Sequence, residues 1–165
     1  MKASALLICL SVLLPLTATA QSLSDYQWKA RLILVFTPDI SDPLFVEQYG
    51  LLQQAAEELE ERMIKIMLIT PDGEHENTGI FLGESASRYF YDHFSAEPYQ
   101  MELILVGLDS YEKYRARNTV TPPSVLLNLI DSMPMRQQEI QQGYNNKSQI
   151  NQTESVLPTE TGGGY

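Results

Sequence analysis

The sequence predicts a single mixed α/β domain, and three observations predict it. Residues 31–37, 63–70 and 101–107 are continuous apolar runs of strand length, as expected of strands buried on both faces. Between the first two lies a stretch in which apolar residues follow the period of one helix face. After the third run comes a short alternating segment and then a closing helical pattern, with no helix between them.

The first run, "RLILVFT", ends at a loop, and Asp42 and Pro43 follow. Asp is a preferred N-cap and Pro fits the first helical position. Phe45, Tyr49, Leu52, Ala56, Leu59 and Met63 then mark the inward face of a helix of about five turns. Glu57, Glu58, Glu60 and Glu61 lie mostly off that face and read as solvated. "MIKIMLIT" (63–70) is the second strand, stopped by Pro71, Asp72 and Gly73. A strand, a helix and a second apolar strand make a parallel βαβ unit with a right-handed crossover.

"ESASRYFYDHF" (84–94) predicts a short helix, and "MELILVG" (101–107) the third strand. Asp109 and Ser110 make a turn into a fourth, solvent-exposed strand, "YEKYRAR" (111–117). Thr121 is placed to cap a last helix over 122–133, with Leu126, Leu129, Ile130 and Met133 inward and Pro134 interrupting or ending it. The order βαβ-α-ββα is that of the thioredoxin-like core, a mixed four-stranded sheet with helices on both faces.

Two stretches carry a more specific signal. "LVGLDSYEKYR", followed by "LLNLIDSMPMRQQEI", resembles the secreted domains grouped as domain of unknown function 4174 (DUF4174), which also occur in vertebrate matrix and sushi-repeat proteins. In that family a strand ending Leu-Ile-Gly leads to a Lys-Asp-Gly-Gly turn and a Lys-x-Arg strand. A helix then ends Ile-Asp-x-Met-Pro-Met-Arg-x-x-Glu. Gly107, Asp109, Lys113 and Arg115 match the first part. Ile130, Asp131, Met133, Pro134, Met135, Arg136 and Glu139 match the second. Leu108, Ser110 and Tyr111 replace the family's Lys, Gly and Gly. The resemblance implies a thioredoxin-like fold and no particular activity.

Thiol chemistry has no residues to use. Redox cysteines of this scaffold would fall near Ser41 and Leu44, and the chain's one cysteine is Cys9. A thiol-disulfide oxidoreductase is therefore not expected. No cofactor or metal is expected either: the "EHE" at 74–76 offers no identifiable third ligand, and His93 sits where a helix end favours a cation. Ser41 lacks a nucleophile elbow, and turn and cap roles explain Asp39 and Asp42.

The formal net charge is −10, which argues against nucleic acid as a partner. Against that background Lys113, Arg115 and Arg117 are two apart on one strand, so they are expected to share one face of it. With Arg136 they are the candidate binding residues for an unknown protein or an anionic ligand. The competing reading is protection of an exposed sheet edge. Asp131, Met133, Pro134, Met135 and Glu139 read as a structural motif.

The ends suggest a destination. Residues 1–20 have Lys2, an apolar core and the small residues "ATA", as expected of a signal peptide cleaved after Ala20. The protein is then secreted or periplasmic, with no membrane span in the mature chain. Residues 21–29 are a lead-in and 30–142 the domain. Residues 143–165 form a polar tail expected to be disordered, with sequons at Asn146 and Asn151. The function expected is a non-redox binding or interaction module. The alternative is a hydrolase or transferase using the Asp39–Asp42 loop, with Arg136 as an anion clamp.

Overall fold

The computed structural model describes residues 21–75 and 80–143. A short helix α1 (Leu23–Tyr26) leads into β1 (Arg31–Phe36). The crossover carries α2 (Pro43–Gln54) and α3 (Ala56–Glu60) to β2 (Ile64–Ile69). Then follow α4 (Glu84–Phe94), β3 (Glu102–Val106), β4 (Glu112–Arg117) and α5 (Pro123–Asp131). Residues 134–143 form one further helix, α6.

The sheet order is β2-β1-β3-β4. β1 runs parallel to β2 and antiparallel to β3, and β3 is antiparallel to β4. This is the expected mixed four-stranded sheet. Every residue of β1 and β3 is buried, because these two strands occupy the centre. Alternation then sends Ile33, Val35, Leu103 and Leu105 to one face, where α2, α3 and α5 supply Phe45, Leu52, Leu59, Leu126 and Ile130. Leu32, Leu34, Phe36, Ile104 and Val106 go to the other, under Ala86, Phe90, Tyr91 and Phe94 of α4. Helices therefore cover both faces, as expected.

Several local expectations change. The long helix is broken at Ala55 (φ −97°, ψ 15°) into α2 and α3. Its buried face is Phe45, Gln48, Leu52, Ala55 and Leu59, while Ala56 is exposed and Tyr49 only half-buried against Phe45. Met63 is exposed at φ 53°, ending the helical segment before β2. Thr121 is not the cap of α5: it is buried, its N–H donating to Gln48 Oε1 at 2.6 Å and its carbonyl accepting from Gln48 Nε2 at 3.1 Å. Pro122 takes the N-cap position instead. Pro134 ends one helix and starts the next, as suits a residue with fixed φ and no N–H.

Candidate ligand-binding hollow

Arg31 opens β1 and is 1% exposed. Its guanidinium is held by residues far along the chain. Nη2 donates to Glu139 Oε1 at 2.8 Å, and Nη1 donates to the Arg62 carbonyl at 2.8 Å. Arg136 Nη1 reaches the same Glu139 at 3.2 Å, and Arg136 Nε lies 3.4 Å from Asp131 Oδ1. Asp131 in turn takes a two-pronged contact from Arg62, at 2.9 and 2.7 Å. Arg62 holds the Asp131 carboxyl below its ordinary range, with Arg136 adding to the effect. Three arginines and two carboxylates thus tie β1, the α3–β2 turn, the end of α5 and α6 together. This gives physical content to Asp131, Arg136 and Glu139: α6 places the last two a helical turn apart, on the same side.

The ties leave one group over. Arg31 Nε is buried and has no hydrogen-bond partner among the described residues. Arg31 borders a hollow of about 220 Å³ whose other walls are Gly107, Leu108, Asp109, Lys113, Met133, Pro134 and Met135. Both sequence stretches that carry the family resemblance meet here. Gly107 gives room to two side-chain ends: a Cβ would lie 2.5 Å from Lys113 Cε and 2.7 Å from Asp109 Oδ1 and would displace them. Lys113 Nζ sits 2.6 Å from Asp109 Oδ2, and Asp109 Oδ1 accepts from the Tyr111 N–H at 3.1 Å. Partial burial pushes the Asp109 pKa up, but the bonds from Lys113 and Tyr111 outweigh it and hold it below the usual range. Ser110, where the family has glycine, completes the turn at φ 66°.

The structure separates the predicted basic residues. β3 and β4 slip register between Leu105, opposite Tyr114, and Val106, opposite Glu112, so Lys113 is the extra residue of a bulge. Lys113 faces the hollow, whereas Arg115 and Arg117 meet at Glu102, at 2.7 and 3.2 Å. The single basic face expected from the alternation is therefore not formed. Glu102 is fully buried. It also accepts from the Glu97 N–H and the Gln100 side-chain amide, each at 3.1 Å. Burial raises its pKa, but these donors and the two arginines more than offset that and leave it lowered. Arg115 further bonds Glu112 and the Phe94 carbonyl, so much of this charge is committed to the fold.

The Asp39–Asp42 loop lies at the other end of β1. Asp42 caps α2, accepting from the N–H groups of Leu44 and Phe45 at 2.8 and 3.3 Å. Asp39 Oδ1 accepts from the backbone N–H and the hydroxyl of Ser41, at 2.7 and 2.8 Å. These bonds lower the Asp39 pKa, and nearby His75 adds to it. A carboxylate so stabilised is a poor base for the serine it touches. Arg136 is tied to Arg31's end of the strand, about 17 Å away at the usual strand rise. The loop and Arg136 therefore do not form one site, contrary to the alternative enzyme reading. Glu76 lies outside the described residues. Among those described, no group of three or more histidines, cysteines and acids could hold a metal.

Sequence reasoning missed Arg31, Arg62, Glu102 and Gln48. A signal was present for two: Arg31 and Glu102 are each the single charged residue at the head of an apolar strand run.

The family model for "Domain of unknown function (DUF4174)" matches residues 22–139. No curated protein matches the chain. Among solved structures, a reduced 2-Cys peroxiredoxin of Plasmodium vivax superposes with a TM-score of 0.56 at 12% identity, covering 70% of this chain and 83% of that one. The bacterioferritin comigratory protein of Xanthomonas campestris gives 0.54 at 12%, covering 70% and 85%. Thioredoxin peroxidase I of Plasmodium yoelii gives 0.52 at 13%, covering 70% and 79%. At such identities the likeness is one of fold, and the fold is thioredoxin-like. Among the described residues no helix is long and apolar enough to cross a membrane.

Proposed function

The chain belongs to the DUF4174 family, and from that premise we propose that it is a binding module on a thioredoxin-like scaffold, without thiol redox chemistry, that recognises its ligand at the hollow. The observation that carries this reading is the convergence of the two resemblance-bearing stretches on one concave place with an unpartnered buried donor. The loop near which redox cysteines of this scaffold would fall supports it by contrast. Ser41 there donates its hydroxyl to Asp39, and Leu44 lies in the first turn of α2, its N–H bonded to the cap Asp42. The leader reading completes the proposal: the protein is exported and acts in the periplasm or outside the cell.

An unbiased fragment screen by amide chemical-shift mapping tests the site. Fragments that bind should shift residues 107–113 and 133–135 together. Hits gathered at the Asp39–Asp42 loop instead would overturn the reading.

A further inference from the structure

We propose that the hollow binds a carboxylate carried on a small apolar body, its charge facing the Lys113 ammonium and the Arg31 guanidinium. This rests on the hollow being the recognition site and adds the chemical class of its ligand.

Four observations argue for it. The first is Arg31, which borders the hollow and whose Nε has no acceptor among the described residues, so part of its positive charge stays uncompensated beside the hollow. Glu139 and the Arg62 carbonyl take the Nη1 and Nη2 contacts of Arg31. Second, Lys113 brings three donors, and the one bond shown for it runs to Asp109, which steadies it at the rim.

Third, α6 starts at the hollow through Pro134 and Met135. The first turn of a helix leaves N–H groups without intrahelical partners and carries partial positive charge, which favours an anion. Fourth, the remaining wall is apolar, from Leu108 and the two methionines, and methionine adapts to irregular shapes. A space of about 220 Å³ is small beside ordinary cofactor pockets, so it suits a short acid or one terminal residue of a peptide. The two carboxylates already present, Asp109 and Glu139, each engage a cation, so the added anion meets neutralised groups.

The test titrates isotopically labelled protein with hexanoate and with its neutral amide. A parallel arm uses a short peptide ending in leucine, as free acid and as C-terminal amide. The expected result is shifts at residues 107–113 and 133–135, with an acid binding at least about tenfold tighter than its amide, a difference of roughly 1.4 kcal/mol. Preference for hexanoate points to a free small acid, and preference for the peptide acid to a chain terminus. Lys113→Met, and Met135→Glu at a site 40% exposed, should each weaken the acid about tenfold or more while the protein stays folded.

Amides binding there as well as acids overturns the carboxylate assignment and leaves the hollow as the site. Acids that bind both variants like the wild type also overturn it. So does the absence of any shift at the hollow with all four probes. The hollow itself falls as the binding site if the fragment screen maps elsewhere.

Discussion

Arg115→Gln is the substitution whose cost follows most directly from the geometry. It removes the 2.7 Å contact to Glu102, the 3.0 Å bond to the Phe94 carbonyl and the pair of contacts to Glu112. The Glu112 pair is partly exposed and worth ~0.2–1 kcal/mol. A charged bond to a carbonyl contributes ~1.5 kcal/mol or more. Removing one partner of a buried pair costs ~3–5 kcal/mol when the other charge is left alone. Glu102 is not left alone, since Arg117, the Glu97 N–H and Gln100 remain. The whole therefore falls near the low end, about 3 kcal/mol, which lowers Tm by about 10 °C in a domain of this size.

The pH dependence gives a second readout. The folded-state pKa of Glu102 lies below its ordinary value. Its contribution is therefore fully present above the unfolded carboxylate pKa, about 4.3, and is lost as pH falls through the lower folded value. The stability gap between wild type and Arg115→Gln, read by urea unfolding, should be widest at neutral pH and narrow in acid. A gap under about 0.5 kcal/mol at pH 7, the size of an ordinary surface change, refutes the reasoning. So does a gap that does not change on acidification.

Three other outcomes follow from the turn, the hollow and the leader. Ser110→Gly relieves a left-handed conformation at φ 66° and should stabilise by up to about 1 kcal/mol after the added chain entropy, measured by thermal melting; no gain would mean that the serine is not strained. Gly107→Ala pushes Lys113 and Asp109 apart and should cost only about 1 kcal/mol, the worth of a surface pair and its bonds. Its larger effect should be on fragment binding at the hollow, and unaltered binding would count against the close approach. Intact-mass analysis of exported protein should show a chain beginning at Gln21, and retention of residues 1–20 would contradict a cleaved leader.

The central strands were legible because burial on both faces writes itself as an unbroken apolar run, and α4 was read to its last residue for want of any competing pattern. What escaped depends on partners distant in sequence. Arg31 is the charged head of an apolar run, and its burial is matched by the Arg62 carbonyl and by Glu139, 108 positions away. Glu102 likewise waits for Arg115 across the hairpin. The split of Lys113 from its neighbours needs a bulge, which no glycine or proline in β4 announces. The break at Ala55 is equally unmarked in the sequence. Thr121 read as a cap because it precedes two prolines, yet its backbone is claimed by Gln48, a residue that local pattern places on a helix face without naming its partner. Of the site, the two stretches were visible and their meeting was not, since that is set by the antiparallel return of β3 and by α6.

The separation of fold from chemistry is tested most directly by peroxide consumption and insulin-disulfide reduction, assayed on purified protein with a thiol donor. Redox cysteines of this scaffold would fall near Ser41, whose hydroxyl is bonded to Asp39. The account predicts turnover equal to that of a heat-killed control, in the wild type and in Ser41→Ala alike. Turnover above the control in either protein would contradict it.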